Sequence, residues 1–227
     1  VPVGGGGLIG GIATAARALR PGIQVIGVQT ERFPSAWNSV HGSDREGGQA
    51  TIADGIAVKH PGALTLTMIH KHVDDMLLVG EDDIEQAIVL LLEIEKTVVE
   101  GAGAVGLAAL LRHGSRFAGR RVGVVLSGGN IEPLVLAEII QRGMVRSARL
   151  ARLRVDVRDV PGALAEVTRA LGILGANIDE VRHQRAFSSL SVERVQIEFV
   201  VQTRGTEHLE QIIAEMSTQG FACLRVT

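Results

Sequence analysis

Tyrosine is absent from this sequence, aromatic residues make up only 3% of it, and its single cysteine, Cys223, stands near the end. So few aromatic rings leave little with which to stack on unpaired bases. A formal charge of -2 sets up no attraction for a phosphate backbone, so nucleic acid is not an expected partner. One cysteine cannot close an internal disulfide, which fits a reducing compartment, and we expect a cytoplasmic protein. Every apolar stretch is broken by Glu, Asp, Arg or Gly before the roughly 20 residues a membrane span needs, so no membrane partner is expected either. No basic region precedes a hydrophobic run at the amino terminus, which does not read as a secretory signal. Lysine is scarce as well: Lys59, Lys71 and Lys96 are all there is.

What is present suits one large domain or two ordinary ones: 227 residues, 46% of them hydrophobic and 21% charged. Val1-Pro2-Val3 runs directly into Gly4, Gly5, Gly6 and Gly7, which reads as a strand end feeding a functional loop. Folded domains rarely begin there, and we expect the parent protein to continue upstream. The first half alternates strand-like and helix-like segments, the pattern of an α/β domain. Ile9, Ile12, Ala13, Ala16 and Leu19 recur at helical spacing, and Pro21-Gly22 stops that helix. Gln24 to Val28 and Val73 to Val79 read as strands, and Phe33 to Asp54 as a connecting region. Gly80 to Asp83 opens a helix with acidic residues at its positive end. Glu100 starts another through Leu111, and Val122 to Leu126 reads as a buried strand ending in Ser127-Gly128-Gly129-Asn130.

Near residue 148 the character changes. Leu153, Val155 and Val157 alternate with Arg152, Arg154, Asp156 and Arg158, the period of a half-buried strand. Pro161-Gly162 begins a helix through Leu174, with Gly175 as its stop. Ile178 and Val181 mark a second strand, Val195 to Val201 a third, Thr206 to Thr218 a helix, and Phe221 to Val226 a fourth strand. The order β-α-β-β-α-β is ferredoxin-like. The division expected is 1–147 and 148–227.

Four glycines at a helix start let backbone N–H groups close around an anion with the helix dipole behind them, so phosphate binding is preferred to a plain tight turn. The dinucleotide fingerprint does not fit, because Gln29 stands where an acidic residue belongs. The Ser127-Gly128-Gly129-Asn130 turn is weak alone, but two glycine-rich strand ends on one sheet face the same crevice. The histidines His41, His60, His70, His72 and His113 form no metal-ligand pattern, and no metal is expected. Asp74-Asp75 reads as a capping or solvated pair.

Taken in order, Val1 to Ile9, Thr51-Ile52-Ala53-Asp54-Gly55, Glu100 to Ala104 and Ser127 to Asn130 resemble the serine/threonine dehydratases among the fold-type II (tryptophan synthase β-like) pyridoxal-phosphate enzymes. The resemblance covers residues 1 to about 145. It implies that Gly4, Gly5, Gly6 and Gly7 hold the phosphate of pyridoxal 5'-phosphate. Ser127 would meet the pyridine nitrogen, and Gly55 and Glu100 would line the pocket. A hydroxyl does not enforce a protonated ring as a carboxylate would, which suits elimination of a β-hydroxyl. The implied reaction is α,β-elimination from threonine, or serine, with 2-oxobutanoate and ammonia as the products from threonine. The family also needs a Schiff-base lysine. Lys59, Lys71 and Lys96 do not lie in its context, so no catalytic residue is assigned within this chain. The chain alone is expected to be inactive.

Asp159-Val160-Pro161-Gly162-Ala163-Leu164, followed by Gly175-Ala176-Asn177-Ile178, resembles the ACT regulatory domain. That implies an amino-acid effector held by Pro161, Gly162, Ala163, Leu164, Asn177 and Ile178, at an interface between paired domains and hence in a homo-oligomer. A module that only dimerises is the alternative for this half. For the whole, the alternatives are a serine racemase, a β-replacement synthase, or a non-catalytic amino-acid-binding fragment.

Overall fold

The computed structural model describes residues 1–184 and 193–226. They form two compact units, Val1–Ile139 and Ile140–Thr227.

In the first unit the glycine-rich start leads into α1 (Gly7–Leu19), followed by β1 (Ile26–Thr30), α2 (Ser35–His41) and a short 3-10 turn, Asp54–Ile56. Then come α3 (Ala63–His72), β2 (Asp75–Val79), α4 (Glu81–Leu90) with a π-helical extension Leu91–Glu95, α5 (Gly101–Arg112) and α6 (Gly114–Phe117); the division after Ile139 falls within α7 (Pro133–Arg146). β1 and β2 pair in parallel, Ile26 opposite Asp75 through Thr30 opposite Val79. Pro2 adds a parallel bridge to Val28, with Val3 N–H donating to Val28 O at 2.9 Å. Both strands are buried at four of five positions, as a sheet covered on two faces requires.

Three local expectations need correction. The connecting region after Phe33 contains α2, whose Trp37 stacks on His41 with ring centroids 4.3 Å apart, while the Arg45 guanidinium lies 4.5 Å from the Trp37 ring. Val122 to Leu126 forms no strand; a strand needs a partner for its ladder, and no described residue pairs with this stretch. Val124 and Ser127 instead lie along the glycine face of α5. Nor is the Asp74-Asp75 pair merely solvated. Asp74 accepts from the Val25 N–H at 2.7 Å and pairs with Arg17 at 2.5 Å; Asp75 pairs with Arg116 at 2.5 Å and meets His41 at 3.1 Å. Hydrophobic periodicity carries no information about such ion pairs.

The second unit follows the expected order with β3 (Leu150–Arg158), α8 (Ala163–Ile173), β4 (Asn177–Gln184), β5 (Arg194–Gln202), α9 (Thr206–Thr218) and β6 (Ala222–Val226). Its sheet is antiparallel with strand order β4-β5-β3-β6. Leu153, Val155, Ile197, Phe199 and Val201 pack with Val167, Leu171, Ile212 and Met216 of the two helices. His208 is buried with both ring nitrogens used: Nδ1 accepts from the Arg204 N–H at 3.0 Å and Nε2 donates to Leu174 O at 2.8 Å. No helix among the described residues is long and apolar enough to cross a membrane.

Phe199 is fully buried at the centre of this sheet. Phe199→Ala should cost about 3–5 kcal/mol of unfolding free energy, read as a lowered denaturation midpoint of the second unit. In the first unit, burial alone would raise the pKa of Asp74 and Asp75. It is outweighed by Val25 N–H and Arg17 at Asp74, and by Arg116, Met76 N–H and His41 at Asp75, so both lie below the ordinary 3.8. Carboxylates depressed in this way stabilise the fold fully above pH 3.8 and lose that contribution as pH falls through their folded values. The stability gap between wild type and Asp74→Asn should therefore be present at neutral pH and shrink as pH falls below 3.8, measured by denaturant titration at each pH.

Candidate active site

The glycine run caps α1. Gly6 is the N-cap residue with φ +88°, a conformation that favours glycine, and no side chain caps the helix. The first N–H groups of a helix have no partner within it. Gly5 and Gly7 have open space where a side chain would stand. A Cβ at Gly4, by contrast, would lie 3.0 Å from the Ile56 Cα and 3.4 Å from the Gly55 carbonyl oxygen. The glycine loop therefore rests on the Asp54–Ile56 turn.

That turn is held from two sides. From the sheet side, the Glu81 carboxylate accepts from Thr51 Oγ1 at 2.7 Å, Ile52 N–H at 2.9 Å and Thr30 Oγ1 at 3.2 Å. From the other side comes the start of α5. A Cβ at Gly101 would lie 2.1 Å from the Ile52 carbonyl oxygen, so backbone touches backbone there. Gly55 faces Glu100 and Ala102, with Glu100 Oε1 3.3 Å from where its Cβ would be. Glu100 is the N-cap residue of α5, and it also reaches the last segment. Its N–H donates to Gly128 O at 3.2 Å and its Oε2 accepts from Asn130 N–H at 3.1 Å. Gly128 has φ +81° and would place a Cβ 2.0 Å from Glu100 Oε1. The Ser127 carbonyl oxygen lies as close to Gly103, 2.1 Å from a Cβ there.

Gly4, Gly55, Glu100 and the Ser127-Gly128 turn, far apart in sequence, thus meet in one chain of contacts. The sequence pattern does not single out Glu81 as a polar support, and Thr51, although part of the resemblance, does not announce its hydrogen bond to Glu81. The acidic start of α4 is legible, but only as a match to the helix dipole. The three lysines are all exposed: Lys96 donates to Glu93 O at 2.6 Å, Lys59 lies against Gly48, and Lys71 sits in the last turn of α3.

Residues 1–128 match the family described as pyridoxal-phosphate dependent enzymes. The chain belongs to that family. A relative from Thermotoga maritima, an L-threonine ammonia-lyase, is 43% identical over 223 residues, covering 97% of this chain and 55% of the relative. Among solved structures, a threonine deaminase from T.th. has a TM-score of 0.55 at 40% identity, covering 58% of this chain and 49% of that one. Maize serine racemase has a TM-score of 0.54 at 32% identity, covering 63% of this chain and 46% of that one. The chain spans about half the length of the curated relatives it matches. Residues 151–217 match the ACT domain. The first-unit residues fit the family's cofactor: a loop free of side chains at the amino end of a 13-residue helix leaves room for a phosphate, and a serine-bearing turn belongs to the same chain of contacts.

The ACT residues are distributed otherwise. Asp159 N–H donates to Glu193 O at one end of the sheet, where Arg158 pairs with Arg194. Asn177 pairs with Gln202, itself opposite Leu150, at the other end. The span from Leu150 to Arg158 is roughly 26 Å at about 3.3 Å per residue. Pro161, Gly162, Ala163 and Leu164 therefore lie at one end of the module, Asn177 and Ile178 at the other. One small ligand cannot touch both within a single module.

Gly128→Ala should weaken pyridoxal-phosphate binding by at least tenfold, since the new Cβ must displace the Glu100 carboxylate from the pocket wall (a tenfold loss being ~1.4 kcal/mol). Gly172→Ala, on an exposed face of α8 with open space around it, serves as the control and should leave binding unchanged in the same spectroscopic titration.

Proposed function

We propose that these residues are part of a pyridoxal-phosphate-dependent ammonia-lyase acting on threonine, regulated by an amino acid at its ACT domain. On this reading residues 1–147 belong to the catalytic domain and 148–227 to the regulatory one. The observation that carries it is the convergence of Gly4, Gly55, Glu100 and the Ser127-Gly128 turn at one place, beside a loop suited to a phosphate. A relative named as an L-threonine ammonia-lyase that aligns with 97% of the chain, across both units, favours threonine lysis. Serine racemase is the second reading, favoured by the maize enzyme's similarity, which reaches only 63% of the chain.

Each residue then has a task. Gly4 to Gly7 bind the cofactor phosphate through main-chain N–H groups, and their lack of side chains lets it approach. Ser127 would hold the pyridine nitrogen through its hydroxyl, which would not impose a proton on the ring. Glu100 does not act on substrate; its carboxylate, bound to Asn130 N–H, keeps the Ser127–Asn130 turn beside Gly55. Pyridoxal phosphate, when bound, would supply the electron sink that an elimination giving 2-oxobutanoate and ammonia from threonine needs.

At the ACT end, the separation of the two motifs implies that an effector is shared between two copies. Pro161-Gly162 of one would approach it from one side and Asn177 of the other from the opposite side.

With threonine, the protein that carries these residues should release 2-oxobutanoate and ammonia in equal amounts. Interconversion of serine enantiomers without keto-acid release would replace this reading by the racemase one. A mixture of Gly162→Val and Asn177→Ala proteins should regain amino-acid binding that neither variant has alone, because a hetero-pair contains one intact site. Calorimetry that finds no recovery on mixing would place the effector within one module or remove it.

A further inference from the structure

Thr65, in the first turn of α3, stands against the glycine loop although nothing in the dehydratase motifs points to it. Its Oγ1 donates to the Gly5 carbonyl oxygen at 2.6 Å. A second carbonyl, Gly62 O, lies 2.9 Å away, but that oxygen already accepts from the Leu66 N–H at 2.9 Å. The single hydroxyl proton is therefore best used on Gly5. The fit is close: a Cβ at Gly6 would lie 2.8 Å from Thr65 Cβ and 2.9 Å from its Oγ1.

A peptide unit is planar and trans, so its C=O and N–H point in opposite directions. Holding the Gly5 oxygen toward α3 turns the Gly6 N–H, in the same peptide plane, away from α3. Gly5 and Gly7, on either side of that amide, have open space where side chains would be, whereas Gly6 itself is buried against Thr65 and Ile69. We propose that Thr65 is a positioning residue for the cofactor phosphate: it fixes the Gly5–Gly6 peptide so that the Gly6 N–H faces the anion. Thr65 touches neither cofactor nor substrate in this role. The proposal rests on the reading that the glycine loop takes the phosphate of pyridoxal phosphate.

Two substitutions separate the hydroxyl from the shape. Thr65→Val keeps the branch and removes the donor; Thr65→Ser keeps the donor and removes a methyl. The experiment titrates the apo-protein with pyridoxal phosphate and, in parallel, with pyridoxal, which lacks the phosphate, following absorbance and intrinsic fluorescence, with thermal denaturation as a check on folding. Thr65→Val should bind pyridoxal phosphate about tenfold more weakly, the scale of one lost hydrogen bond in a preorganised site, with its affinity for pyridoxal unchanged. Thr65→Ser should stay within about twofold of wild type. Equal weakening toward both compounds would make Thr65 a general packing residue and overturn the proposal, as would an unchanged affinity in a folded Thr65→Val protein. A wild-type protein that does not distinguish pyridoxal phosphate from pyridoxal would overturn the phosphate reading itself, which is a separate result.

Discussion

At Gly101 the backbone of α5 passes so near the Ile52 carbonyl that no side chain fits between them, and at Gly103 it meets the Ser127 carbonyl in the same way, each 2.1 Å from a would-be Cβ. The helix is thereby pressed between two stretches of irregular chain, and its N-cap residue, Glu100, is delivered to the gap between them. Everything else at the site follows from this contact of main chain with main chain. Gly55 reaches Glu100 because Ile52 lies on Gly101, and Gly4 reaches Gly55 because the Asp54–Ile56 turn is fixed by the same packing. A methyl group at Gly101 or Gly103 would have to move backbone rather than the end of a flexible side chain, and the interior has no slack to absorb it.

Packing sets the distances, but polar pins set the orientations. Glu81 is a carboxylate with a side chain only 16% exposed, and removing it from water would be costly without partners. It has three donors, on Thr30, Thr51 and Ile52, so one charge ties the end of β1 to the segment leading into the Asp54–Ile56 turn. Asp83, two residues on, closes the start of α4 on the Gly80 N–H and also holds Arg112 from the end of α5. The acidic start of α4 thus favours the helix dipole and serves as the fastening between sheet, turn and neighbouring helix.

How much of this could be read in advance differs between the two halves. In the ACT half, strict alternation in Leu153, Val155 and Val157 and again from Val195 to Val201 announces strands with one buried face, and the helix Thr206 to Thr218 matches to the residue. A small antiparallel module writes its burial into its sequence because each element has one covered side. The first half is covered on both faces, so its strands show only short apolar runs. Val122 to Leu126 is as apolar as β2, yet it forms no ladder, because pairing is a property of neighbours and not of the segment. The glycine motifs are legible as a group because glycine has few other reasons to recur. Thr65 and Glu81 are not, since a threonine in a helix and a glutamate at a helix start are ordinary.

The geometry of the ACT half also bears on how regulation would reach the first unit. β3 and α8 run the full length of the module, so the turn at Pro161-Gly162 and the strand entrance at Asn177 are held at its two ends. Compressing the module to bring them together would break nine residues of ladder between β3 and β5, whereas pairing two copies head to tail brings the same groups together at no cost to either fold. An effector shared in that way binds only the pair, and by linkage it stabilises the pair to the extent that it discriminates against the separate modules. Regulation on this proposed plan would act through association, and it would require no change of structure inside the module that carries the site.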